Sequence, residues 1–83
     1  MGKSIKYFTA SWCQPCAQFR PIMTEIKDEG HDIEIIDVDE CDEVIMENYN
    51  IEHVPTSVVE EDGLEVERFE GSLSREDVLD KIL

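Results

Sequence analysis

Ile5-Lys6-Tyr7-Phe8-Thr9-Ala10-Ser11-Trp12-Cys13-Gln14-Pro15-Cys16-Ala17-Gln18-Phe19 is the stretch on which the reading of this chain turns. Ile5 to Phe8 is a short apolar and aromatic run that predicts a strand ending before Ser11. A helix follows from about Cys13 to Asp28, because Phe19, Ile22, Met23 and Ile26 recur at the spacing of one buried helical stripe. Pro21 lies inside that stripe and predicts a kink rather than a stop, and Gly30 closes the helix. Two cysteines therefore stand where a strand hands over to a helix. Amide N–H groups and the positive end of the helix dipole converge on that position and favour a thiolate at Cys13. A free cysteine ionises near about pH 8.5, and this setting commonly brings it to about 7. Cys16 lies one turn deeper, so the pair divides into an exposed attacker and a buried resolver.

Downstream, Ile33 to Val38 is the most apolar stretch and predicts a strand covered on both faces. Cys41 to about Asn48 makes a short helix, with Asp39 or Asp42 as its cap. After His53-Val54-Pro55 comes a strand, Thr56 to Glu60, and then Asp62-Gly63, a strong tight-turn signal. The partner strand opens with Leu64 and Val66 facing in. Its next apolar residue is Phe69, so the alternation slips and predicts a β-bulge near Glu67-Arg68. Ser74-Arg75-Glu76-Asp77 has a capping-box pattern and leads a last helix that buries Val78, Leu79, Ile82 and Leu83. The order is β-α-β-α-β-β-α. A right-handed crossover makes the first two strands parallel and the last two form a hairpin. The expectation is an α/β fold, a four-stranded mixed sheet flanked by helices, forming a single domain over residues 1–83.

Composition limits the partners. The 83 residues are 41 % hydrophobic and 34 % charged, enough for one thin core and too ordered for a disordered tail. The net charge is −14, and it is uneven: residues 1–31 are net +1, residues 32–83 net −15. Nucleic acid and anionic membrane offer nothing for this field to attract. The start, from Met1 to Lys6, has no apolar leader, and no run is long enough to span a bilayer. Three cysteines without a secretion signal argue against a secreted disulfide framework and for a cytoplasmic protein. Structural zinc wants four ligands, and only Cys41, His31 and His53 remain to complete a set with Cys13 and Cys16. They are scattered, so dithiol chemistry without metal or other cofactor is the stronger reading. Cys41 reads as a small buried or half-buried filler, with a regulatory thiol as the lesser reading, and His31 as loop. His53, two residues before Pro55, is a loop histidine or a modulator of the Cys13 thiolate.

Trp12-Cys13-Gln14-Pro15-Cys16, the helix continuing through Pro21-Ile22, the segment Tyr49-Asn50-Ile51 to Val54-Pro55-Thr56, and Phe69-Glu70-Gly71 with Leu73-Ser74 together resemble thioredoxin. The resemblance runs from Ile5 to Leu83 and implies a minimal thioredoxin fold. It implies that Pro55 is cis and packs on Cys13 and Cys16, leaving the Val54 backbone to pair with an extended substrate. Trp12, Gln14 and Pro15 are then the rest of the docking surface. The implied activity is protein disulfide reduction by dithiol–disulfide exchange, with Cys13 as nucleophile and Cys16 resolving. The implied partners are a thioredoxin-reductase-like flavoprotein and disulfide-containing clients, ribonucleotide reductase being typical of the family. A monomer is expected. The alternatives are a glutaredoxin-like protein served by glutathione, which the short length favours, or a non-enzymatic thioredoxin-fold binding module. Glutathione is an anion, however, and basic residues are lacking around Pro55 and Gly71, where glutaredoxins also carry a Gly-Gly.

Compared with full-length thioredoxins the chain lacks an N-terminal strand and helix. Tyr7 stands where thioredoxins bury an aspartate, and an apolar residue near Ile35 replaces the neighbouring lysine. Tyr7 is thus a candidate modulator of the pair. A phenol of ordinary pKa about 10 is neutral where a carboxylate is charged, and removing a buried like charge eases thiolate formation. A stabler thiolate stabilises the reduced form. The reduction potential, measured against a redox buffer, is therefore expected above the roughly −270 mV of thioredoxin, toward the −200 to −230 mV of glutaredoxins. A value at or below −270 mV contradicts this reading.

Overall fold

The computed structural model describes residues 2–83, so the part of the leader reading that falls on Met1 lies outside them. Four strands and three helices follow in order: β1 (Lys3–Thr9), α1 (Gln14–Asp28), β2 (Ile33–Asp37), α2 (Glu43–Tyr49), β3 (Thr56–Glu61), β4 (Leu64–Glu70) and α3 (Arg75–Ile82). The sheet order is β2-β1-β3-β4. β1 pairs parallel to β2, Ile5 opposite Ile33, and antiparallel to β3, Ile5 opposite Val59. This is the architecture expected from the sequence, a mixed sheet of the thioredoxin type.

Alternation along β1 builds a layer on each face of the sheet. Ile5 and Tyr7 join Phe19, Met23 and Ile26 of α1 and Val78 and Ile82 of α3 in one buried cluster. Phe8 points the other way, to Ile36, Val58 and the α2 residues Ile45, Met46 and Tyr49. Tyr7 meets the Phe19 ring edge-on at 5.5 Å, and Phe8 meets Tyr49 at 5.4 Å. β2 is an edge strand, yet both its faces are used: Ile33 and Ile35 pack with the first cluster, Ile36 and Val38 with the second. α1 runs unbroken through Pro21.

Three readings at the chain's outer parts need correction. Leu64 is 71 % exposed and Val66 51 % exposed, so neither faces the core. The strands turn through Asp62 and Gly63, both at positive φ as a two-residue hairpin turn requires. Val59 then pairs with Glu67 and Glu60 with Glu65, which leaves Val66 as the extra residue. The bulge therefore sits at Val66, just before the Glu67-Arg68 step expected from the sequence, on a strand that has sheet on one side only. Beyond it Phe69 packs on Phe19 at 6.3 Å and Glu67 pairs with Lys81 of α3. Arg68 donates instead to the Tyr49 carbonyl (2.8 Å) and to Glu65, whose carboxyl it holds below the usual range. Leu83 is 80 % exposed because α3 ends at Ile82, and Ser74 caps that helix by accepting the Asp77 N–H. At α2, Asp42 occupies the cap position without a side-chain hydrogen bond, and Asn50 ends the helix in the left-handed region.

The two kinds of apolar residue separate in denaturation. Phe19→Ala empties the centre of the larger cluster and is expected to cost about 3–5 kcal/mol. Leu64→Ser removes an exposed side chain and is expected to stay within about 0.5 kcal/mol. Urea unfolding of both variants checks this; comparable losses contradict the assignment of the core.

Candidate redox site

β1 ends at Thr9, and the next residues lead from the end of this central strand to α1. Cys13 is the N-cap of that helix, in extended conformation, and Pro15 sits in its first turn, where the missing N–H leaves no helical bond unmade. Cys13 and Cys16 are joined in a disulfide with their Cα atoms 5.2 Å apart. The Cys16 N–H donates to Cys13 Sγ at 3.2 Å, the bond that a thiolate at this position strengthens. No acidic residue lies in the first turn of α1 to oppose it. Cys13 is 7 % exposed and Cys16 fully buried, so Cys13 is the more open of the two, but in the disulfide it is itself buried and not the exposed attacker expected from the sequence.

The loop before β3 closes the other side. The Val54–Pro55 bond is cis, as the resemblance implied. The Val54 carbonyl oxygen lies 3.6 Å from Cys13 Sγ, and Val54 packs against Ala10, Cys13 and Cys16. Two bonds pin this loop: Gly71 N–H donates to the Pro55 carbonyl (2.8 Å), and the Thr56 hydroxyl donates to the His53 carbonyl (2.6 Å). Among the described residues no backbone hydrogen bond engages the Val54 N–H.

Trp12 is 66 % exposed, far from a core residue, and its indole N–H donates to Asp39 at 2.8 Å. Asp39 is itself held where its N–H donates to the Asp37 carboxylate. Trp12, Val38, Met46, Ile51, Glu52, His53 and Val54 line a groove of about 380 Å³, which meets the pair through Trp12, next to Cys13 in the chain, and through Val38 and Val54, which pack on both cysteines. Gln14 and Pro15 are exposed on the adjoining turn, and His53 is exposed in the loop. A roomier hollow runs along the outer flank of α1, lined by Ala17, Arg20, Pro21 and Thr24 and by the carboxylates of Glu25, Asp28 and Glu29.

Tyr7 is fully buried behind α1, and its hydroxyl donates to Thr9 Oγ1 at 3.3 Å. Burial pushes the Tyr7 phenol above its ordinary range, with the Thr9 bond and the Arg20 charge pulling part of the way back. It stays neutral at working pH. Arg20 donates to the same Thr9 oxygen at 3.1 Å. Cys41 is a half-buried free thiol near the Val38 carbonyl, on the α2 side of the sheet. Among the described residues no three His, Cys, Asp or Glu side chains converge on one point, so His31, His53 and Cys41 form no ligand set with the pair. No helix among them is long and apolar enough to cross a membrane. Thr9 and Arg20 escaped the sequence reading, and Asp39 was read only as a helix cap. The place of Arg20, four residues after Cys16 beside the buried stripe, was a signal.

A cysteine pair at the start of the first helix, facing a cis-proline loop where the central strands β1 and β3 of a β2-β1-β3-β4 sheet end and begin, defines a thioredoxin-fold protein with a redox-type centre. The chain belongs to the thioredoxin family: the family model described as Thioredoxin matches residues 2–83. It is 37 % identical to Thioredoxin H2 of Arabidopsis thaliana over 76 residues, which are 89 % of this chain and 55 % of that protein. It is 34 % identical to the chloroplastic Thioredoxin Y of rice (Oryza sativa subsp. japonica), over 90 % of this chain and 46 % of that one. The chain thus spans about half the length of these curated relatives. Among solved structures, a mutant thioredoxin from Halobacterium salinarum superposes with a TM-score of 0.84 at 32 % identity, covering 96 % of this chain and 71 % of that one.

Proposed function

We propose that the chain reduces protein disulfides by dithiol–disulfide exchange. The observation that carries this is Cys13 at the helix cap, accepting the Cys16 amide and lying more open than its partner. In the reduced protein the Cys13 thiolate attacks one sulfur of a client disulfide. A Cys13–client mixed disulfide forms and the other client sulfur leaves as a thiolate, which takes a proton from water. Cys16 then attacks Cys13, the client's second sulfur departs, and the Cys13–Cys16 disulfide remains. The protein has given up two electrons.

An extended client segment fits the groove beside Trp12, Gln14 and Pro15, and the free Val54 N–H is the backbone donor for it. Pro55 fixes the direction of that edge. The dithiol is restored by a thioredoxin-reductase-like flavoprotein, and ribonucleotide reductase is a client by analogy with the family. The cytoplasm, where thiols are kept reduced, suits this cycle. Glutathione suits it poorly: residues 37–53 carry seven acidic side chains and no lysine or arginine, which repels an anion from the groove.

Two experiments test this reading. Cys16→Ser is expected to accumulate mixed disulfides with clients and Cys13→Ser almost none; equal trapping by both contradicts the order of attack. Insulin reduction is expected to run with thioredoxin reductase and NADPH, and at most a tenth as fast with glutathione and its reductase. Faster turnover with glutathione reverses the choice of partner, and failure with both sources refutes the activity. Cys41→Ser is expected to keep the rate within about twofold, since that thiol lies apart from the pair.

A further inference from the structure

Arg20 takes no part in the exchange proposed above. Against 21 acidic residues there are only 7 lysines and arginines. Lys6, Arg68, Arg75 and Lys81 pair with carboxylates, while Lys3, Arg20 and Lys27 have no ion pair among the described residues. Arg20 has no carboxylate within ion-pairing distance among the described residues, and the nearby Glu25 and Glu29 are both taken by Arg75. Its half-buried side chain turns inward instead, where Nη2 donates to Thr9 Oγ1. Its Nε–H is enclosed and has no acceptor.

The place of this cation follows from the helix. Arg20 is four residues after Cys16, one turn along the same face, and helical side chains lean back toward the N-terminus. Thr9, which anchors the guanidinium, precedes Ala10, whose side chain faces the other way and packs against both cysteines, so the link from Arg20 to Cys16 is the one-turn helical spacing. We infer that Arg20 is a positioning residue for the exchange: its guanidinium, moored to Thr9 and one helical turn from Cys16, supplies the charge that favours a thiolate on the resolving sulfur. Tyr7 is neutral and the first turn of α1 has no acid, while the loop before β3 carries Glu52 and His53, both exposed.

The inference rests on the exchange mechanism proposed above and bears on its second half. In the mixed disulfide the Cys16 thiol passes its proton to water, and the resulting thiolate attacks Cys13 Sγ. The Cys13–client bond breaks, its electron pair leaves on the client sulfur, and that sulfur takes up a proton. A cation one turn away lowers the cost of the anion before attack and of any thiolate in the reduced protein. It therefore speeds resolution and raises the reduction potential. A buried arginine that merely fills space does neither.

The reduced protein carrying Cys41→Ser, which removes the one other thiol, is mixed with 5,5′-dithiobis(2-nitrobenzoate), which releases one coloured thiolate when Cys13 attacks and a second when Cys16 resolves. With Arg20→Met the second release at pH 7 is expected to slow by about three- to tenfold and the equilibrium with dithiothreitol to shift toward the disulfide by a similar factor. A tenfold shift is about 30 mV. Arg20→Lys keeps the charge and is expected to recover most of both. Wild-type rates and equilibrium in Arg20→Met, or equal defects in Arg20→Met and Arg20→Lys, overturn the inference. If Arg20→Met does not fold, Thr9→Val, which removes the mooring and keeps the shape, is expected to slow the second release at least about twofold. An unchanged second phase there overturns it equally. If the wild type shows no second release, the exchange mechanism itself fails, which is a different result.

Discussion

β1 is hydrogen-bonded along both edges, to β2 and to β3, and covered on both faces. Moving it by one residue exchanges the Ile5 and Tyr7 set with Phe8, so the two layers would each receive the wrong side chains. Its register is thereby settled, and with it the point where the strand stops. From Thr9 there are only four residues to the helix cap at Cys13, and α1 must start where its own stripe, Cys16, Phe19, Met23 and Ile26, falls onto Ile5 and Tyr7. The position of the redox pair is a consequence of core packing. Pro55 arrives opposite it for the same reason, because β3, the other neighbour of β1, begins at Thr56.

Charge is distributed to respect this arrangement. The turn around the cysteines, Ser11 to Gln18, holds no charged side chain, while the acidic excess lies from residue 32 onward. Self-repulsion from a net −14 works against the compact state, and the exposed ion pairs of Arg75 and Lys81 return little of it. A partly buried exception is Lys6, which bridges Glu34 and Glu60, while Glu60 also accepts the Tyr49 hydroxyl. That network ties β1, β2, β3 and α2 together on the side opposite α1. The turn that carries the cysteines is thus free of acids, and Glu52 is the acid that lines the groove.

The order of elements, their approximate limits and the cysteine site were all legible in the chain, because period-3.6 and period-2 patterns and a turn at Asp62-Gly63 are local signals. The errors fell where burial depends on what lies alongside. Leu64 and Val66 alternate correctly for a strand, but the strand is the sheet's edge and its first turn stands clear of the helices. Leu83 continues the α3 stripe by one position after the helix has stopped. In the site, Cys13, Cys16, Trp12, Val54 and Pro55 were found through a contiguous motif and a resemblance. Asp39 was passed over as a helix cap, since its bond to Trp12 spans 27 positions of sequence. Tyr7 was read as a lost carboxylate, and the Thr9 and Arg20 that surround it became visible only once β1 and α1 were packed together.

The central claim is that the start of α1 makes Cys13 the anionic member of the pair. Thiolate absorbance near 240 nm, followed against pH on the reduced protein and on its Cys13→Ser and Cys16→Ser variants, tests it most directly. The account predicts a first ionisation below the roughly 8.5 of a free cysteine that survives in Cys16→Ser and disappears in Cys13→Ser. A first ionisation at or above that value, or one that persists without Cys13, contradicts it.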